Sequence, residues 1–221
     1  VAAHRRHHKY SDQPEDPHSP HFRMEKGEPD KLGLLRGFWH AQMGNLVTDY
    51  PSNATLFASD MLRDDTLKKI NKSYIPIVAL GVAIPTLIGG IATMSLMGAL
   101  TGFLWGGLVR IFTAQHCYFI NGSFCHLMGS KPYENKDNSG NNFLFALINF
   151  GSGWHNNHHA FPSSANTGLE WWQFDPSAVF IYVVEKLGLI SEVKRPTRQQ
   201  IEDKKSKNKS NNSSTSTGVT E

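Results

Sequence analysis

The stretch Tyr74–Val109 reads YIPIVALGVAIPTLIGGIATMSLMGALTGFLWGGLV and carries no Asp, Glu, Lys, Arg or His. As one helix rising about 1.5 Å per residue it would extend roughly 54 Å. A bilayer core is about 30 Å thick and takes about 20 helical residues per crossing. The stretch is too long for one crossing, and with its weaker apolar continuation to Ile120 it suits two. Gly89, Gly90, Gly98 and Gly102 offer hinge or close-packing points. The expectation is a transmembrane helical hairpin turning somewhere in residues 94–99. The competing reading is a single kinked helix inside a soluble core.

Two crossings return the chain to the side on which it started. Lys68, Lys69 and Lys72 precede the first crossing, Arg110 lies toward the end of the second, and Lys131 and Lys136 follow. The turn carries no charge. Basic residues accumulate on the cytoplasmic side of membrane proteins, so both flanks of the hairpin are expected there.

Those flanks hold the histidines that carry chemistry. His4, His7 and His8 form HRRHH before the apolar stretch, and His155, His158 and His159 form HNNHH after it. Residues i, i+3 and i+4 share one helical face, so each box can aim its imidazoles at one place. Six of the eleven histidines fall in these boxes, and beyond the apolar stretch stands a further lone histidine, His126. A single HxxHH is commonly a surface or core feature. Two copies of the same spacing point to a metal centre, because imidazole suits iron, zinc, copper and nickel.

The rest of the 221 residues bounds the reading. A net charge of +3 with scattered basic residues leaves no nucleic-acid footprint. Cys117 and Cys125 form no CxxC and no disulfide framework. The expected division is 1–72, a cytoplasmic segment with the first histidine group and interfacial helices; 73–120, two membrane helices; 121–197, a cytoplasmic segment with His126 and the last box; and 198–221, a disordered polar tail. Ser59 and Asp60 are candidate caps for a short helix before the hairpin, whereas Asp175 and Pro176 should open a helix that stops at Gly188. The chain begins at Val1 only three residues before its first histidine, which suggests a fragment whose N-terminal part is missing.

Taken together, HRRHH, SDxxxDPH at 11–18, GFW at 37–39, CHxxG around His126, HNNHHAFPSSA at 155–165 and LEWWQFD at 169–175 resemble the membrane fatty acid desaturases. Within them the chain looks like the Δ9, stearoyl-CoA desaturase-like group and its bacterial-type branch, over His4 to about Pro196. The resemblance implies an all-α membrane protein: a transmembrane hairpin plus a cytoplasmic, histidine-rich helical cap. It implies two iron ions held by His4, His7, His8, His126, His155, His158 and His159. The activity implied is insertion of a cis double bond into a saturated acyl chain with O2 and two electrons. The substrate would be a fatty acyl-CoA or acyl-lipid, and the electron donor cytochrome b5 or ferredoxin. Asp12, Asp16, Asn121 and Asn157 are candidates to orient the ligands.

Three departures from that pattern stand out. The family's first box, HxxxxH, has no match, so seven of nine expected histidines are present. The Asn usually found four residues before the lone histidine is Gly122 here, with Asn121 beside it. Gln42 and Asn45 stand where His and Trp are common, and His40 nearby is not expected to be a ligand. Two alternatives remain: a hydroxylase on the same scaffold, or an inactive metal-binding fragment lacking the first box. A zinc hydrolase would need a HExxH-like carboxylate, which is absent.

Overall fold

A computed structural model of the chain describes residues 1–21, 31–47 and 51–206. Its helices are α1 (Ala2–Tyr10), α2 (Lys31–Gln42), α3 (Ala54–Phe57), α4 (Asp65–Lys72), α5 (Tyr74–Thr93), α6 (Leu96–Thr101), α7 (Arg110–Gly122), α8 (Phe143–Ile148), α9 (His155–Ala160) and α10 (Pro176–Lys186). Among the described residues there is no strand beyond isolated bridges at Ser130–Asn141 and Asn141–Trp154. The all-α expectation holds. The chain forms two compact units, Val1–Arg6 with Tyr50–Tyr118, and His7–Asp49 with Phe119–Glu221.

The first unit is dominated by a helical hairpin. α5 ends at Met94, whose left-handed backbone (φ 47°) reverses the chain, and Ser95 caps α6 by accepting from the Gly98 amide. The turn therefore falls at the start of the expected window. α6 continues through a π-helical stretch, Gly102–Val109, into α7. The segments Tyr74–Thr93 and Leu96–His126 are both long and apolar enough to cross a membrane. Ile77, Leu80, Ile84, Leu87, Ile88 and Ile91 are all more than half exposed. An apolar helix left open in this way fits lipid rather than a soluble core.

The two arms touch backbone to backbone. A Cβ on Gly89 would fall 2.3 Å from the Gly98 carbonyl oxygen, and one on Gly102 would fall 2.1 Å from that of Pro85. Small residues at such crossings substitute close van der Waals contact for the hydrophobic drive that lipid does not supply. Ahead of the hairpin, the cap of α4 is Asp64, accepting from the Thr66 and Leu67 amides. Of the caps expected there, Ser59 plays no such part. Asp60 instead pairs with Arg5 at 2.5 Å and 2.8 Å.

The second unit is held by polar networks more than by a large core. Buried Tyr133, Ala160 and Ile201 form a small cluster with Phe161 and Leu169 packed against it. The Phe124 ring joins Phe38 of α2 (4.7 Å) to Phe145 of α8 (5.2 Å). Asp175 caps α10 as expected, with Pro176 at its first position. Residues 198–206, expected to begin a disordered tail, are instead helical. Ile201 supplies the reason: it is 5% exposed, within that core cluster. The rest of the expected tail, 207–221, lies outside the described residues.

Candidate metal centre

Three local structures deliver the imidazoles. α1 is a single helix in which His4 and His8 lie one turn apart and His7 is buried. α9 carries His155, His158 and His159, and a 3-10 turn, Phe124–His126, carries His126. Loop residues fasten α9 in place: the Asn156 side chain accepts from the Tyr133 amide and donates to the Tyr133 and Ser139 carbonyls.

Within the second unit the ring nitrogens converge. His126 Nε2 and His155 Nε2 are 3.1 Å apart, His155 Nε2 and His159 Nε2 3.1 Å, and His7 Nε2 and His159 Nε2 3.4 Å. One nitrogen from each of these residues lies within 4.8 Å of all the others. Beside them, His8 Nε2 sits 2.9 Å from His158 Nε2. Of the seven histidines read from the sequence, six are thus drawn together in one unit, and His4 stands one turn before His8 on α1.

The opposite edge of three rings is fixed by carboxylates. Asp16 lies 2.8 Å from His7 Nδ1, Asp12 3.0 Å from His126 Nδ1, and Asp137 2.7 Å from His159 Nδ1. These carboxylates are themselves held. Asp12 accepts from the Ser19 hydroxyl and the Asn138 amide, Asp16 from the Asp12 and His18 amides, and Asp137 from the Ser139 amide. Burial opposes ionisation of Asp12, but the hydrogen bond and charge of His126 outweigh it and keep the carboxyl well below its usual range. His159 does the same for Asp137. Burial pushes Asp16 upward.

A carboxylate at Nδ1 selects the tautomer that leaves Nε2 with its lone pair. His155 is driven well below its ordinary pKa by burial first and by the surrounding imidazoles second, and burial lowers His159 as well. Burial thus disfavours the charged form of these two rings, and the Nε2 atoms of the cluster face one another. One N–H, from His155, cannot satisfy all of those contacts. A cation can, and a site of nitrogen donors with anchored outer edges fits iron or a similar transition metal.

The remaining predicted residues are placed differently. The Asn121 side chain accepts from Asn149 at 3.1 Å, and Asn157 is engaged with Asn141, Thr167 and Gln173; both serve the scaffold around the rings. Above Gly122 lies the His18 ring, whose Nδ1 is 3.2 Å from where a Cβ would be. Gln42 accepts from the Ser123 hydroxyl at 2.7 Å, and His40 Nε2 lies 3.1 Å from the Pro17 carbonyl. Asp137 was not found by sequence reasoning. It stands 22 positions before His159 in a polar loop with no spacing to mark it.

The model of the fatty acid desaturase family matches residues 1–178. The chain belongs to that family. It is 47% identical over 205 residues to the hex-5-enoyl-[acyl-carrier protein] acetylenase of Moorena producens, covering 93% of this chain and 63% of that protein. It is 34% identical to the sn-1 stearoyl-lipid 9-desaturase of Anabaena variabilis, covering 90% of this chain and 66% of the relative. Acyl-CoA desaturase 1 of Saccharomyces cerevisiae is 31% identical, with 91% of this chain and 37% of the relative covered. The chain thus spans less than two thirds of the length of these relatives.

Proposed function

We propose that this chain carries the metal-binding portion of a membrane acyl desaturase that forms a cis double bond, at Δ9, in a saturated acyl chain. The observation that carries the reading is the convergence of Nε2 atoms from His7, His126, His155 and His159, with three of the rings anchored at Nδ1 by Asp16, Asp12 and Asp137. Those four hold one iron. His8 and His158 mark the second, to which His4 is assigned by its helical spacing and the family pattern. Iron, when bound, supplies the O2-derived oxidising power that an unactivated methylene C–H requires and that no side chain has. The protein's own part is to aim the rings, fix their tautomers and shield them from water. The hairpin anchors this apparatus in the membrane from which acyl chains come, with the histidine side in the cytoplasm.

A second reading has one observation in its favour. The 47% identical relative is named for an acetylenase acting on an enoyl chain carried by a carrier protein. The same chemistry applied to an existing double bond would give a triple bond.

The test is to express the longest natural reading frame containing these residues in a desaturase-deficient host. Fatty acids are then analysed by mass spectrometry after derivatisation that locates unsaturation. A new cis-Δ9 monoene, abolished by His158→Ala, supports the first reading. An alkyne formed only when an enoyl chain is supplied supports the second. No new product, despite bound iron and a competent electron donor, would sink both.

A further inference from the structure

Arg110 is the charged residue within the helix Leu96–His126, which is apolar enough to span a membrane, and its side chain is exposed. Its position is explained by a defect in the facing helix. Pro85 lies inside α5 and has no N–H, so the carbonyl of Gly81, four residues earlier, loses its helical partner. Arg110 Nη2 donates to that carbonyl at 2.8 Å, while Nε donates to the Gly106 carbonyl at 2.7 Å. Gly81 leaves room for this, since even a Cβ there would stop 3.4 Å short of Nη2. A guanidinium is thereby pinned across the hairpin by two backbone oxygens.

A guanidinium has five N–H groups, and two are used. Among the described residues no acceptor meets the others. Gly81 lies seven residues beyond the first residue of α5, about 10 Å along the helix axis. Donors left unpaired at such a depth are costly, and ionisable groups inside membranes find partners there. The open edge of the guanidinium offers parallel N–H groups of the kind that match a phosphate's oxygens. Lys68, Lys69 and Lys72 crowd the end of α4 just before α5, so the same leaflet is the one drawn toward negative headgroups.

We infer that Arg110 is a lipid-binding site: its free edge takes the phosphodiester of a membrane glycerophospholipid, drawing that headgroup into the bilayer beside the hairpin. The inference rests on the reading that the hairpin lies in a membrane, and not on the metal centre.

The test separates this role from that of a structural staple. In Pro85→Ala the restored N–H serves the Gly81 carbonyl, so the hairpin no longer needs Arg110. The natural protein is prepared as Pro85→Ala and as Pro85→Ala with Arg110→Leu. Each is stripped of lipid in detergent and examined by native mass spectrometry with phosphatidylglycerol, with diacylglycerol of the same chains, and with coenzyme A. The expected result is about tenfold weaker retention of phosphatidylglycerol without Arg110, one charged hydrogen-bonded contact in size, and no change for diacylglycerol. Equal retention of phosphatidylglycerol by the two proteins overturns the inference. Arg110-dependent capture of coenzyme A in preference to lipid overturns the lipid assignment. Release of the protein from membranes by alkaline carbonate overturns the membrane reading along with it, so the two failures are told apart.

Discussion

Asp137 holds the Nδ1 edge of His159 at 2.7 Å, and both side chains are almost wholly buried. The contact joins the loop after the hairpin to α9, so a residue far from either histidine box sets the aim of one of its rings. The Ser139 amide steadies the same carboxylate at 2.9 Å. Asp137→Ala removes the anchor while leaving every ring in place. Iron affinity is expected to fall about 10- to 100-fold, the usual cost of losing such a partner. A chelator-competition titration with helix content followed by circular dichroism measures it. Unchanged affinity in a folded variant would show that His159 is aimed by α9 alone.

The buried rings also make stability depend on pH in a definite direction. His155 and His159 have pKa values below their ordinary 6.5, with burial the largest cause in each. The unfolded chain takes up protons near that ordinary value, while the folded chain resists. Below it the unfolded state binds more protons, so stability rises with pH there and falls as pH drops beneath about 6.5. Bound metal sharpens the trend, because protons compete for the same nitrogens. Thermal scans of metal-free protein between pH 5 and 7.5 should show a declining midpoint on the acid side, with a shallower slope in His155→Gln. A flat midpoint would contradict the burial argument.

The hairpin makes a prediction independent of the metal. A Cβ at Gly102 would fall 2.1 Å from the Pro85 carbonyl oxygen, so Gly102→Ala forces the arms apart. The expected loss is about 1–3 kcal/mol, the usual range for overpacking. It would be read as a lower unfolding midpoint in detergent. Ile88→Ala, at a side chain 61% exposed, is the control and should change little. Equal effects at the two positions would mean that the arms are not in backbone contact.

What was legible in the sequence was what local spacing encodes. HxxHH on a helix puts three rings on one face whatever surrounds it, and an apolar run of that length leaves few places to go. The Asp175–Pro176 helix start was legible for the same reason. Asp12 and Asp16 could be suspected because they lie close in sequence to the first box. Asp137 could not, since only the folded loop brings it to His159. The cap of α4 is Asp64 rather than Ser59 or Asp60 because the expected helix opens as a separate 3-10 turn, Met61–Arg63, and α4 starts only at Asp65; the Asp60 carboxylate meets Arg5, 55 residues away in sequence. Gly122 stands where the family pattern has Asn, and only the fold shows that the space above it is filled by His18.

Residues 198–206 give the last prediction. Their composition is polar enough to read as disordered, and a single apolar residue, Ile201, overrides it. It is 5% exposed, and it clusters with Tyr133, Ala160, Phe161 and Leu169. Around it, Arg198 and Lys205 both reach Glu170, and Lys204 donates to the Ala160 carbonyl. Ala160 closes α9, so this helix braces the element that carries three of the histidines. Ile201→Ala should cost about 2–4 kcal/mol, as a buried aliphatic truncation does, whereas Glu202→Ala, an exposed partner of Arg198, should cost less than about 1 kcal/mol. Chemical denaturation of both variants settles the comparison. If Ile201→Ala were as mild as Glu202→Ala, the segment would be an ornament on the second unit, and α9 would stand without it.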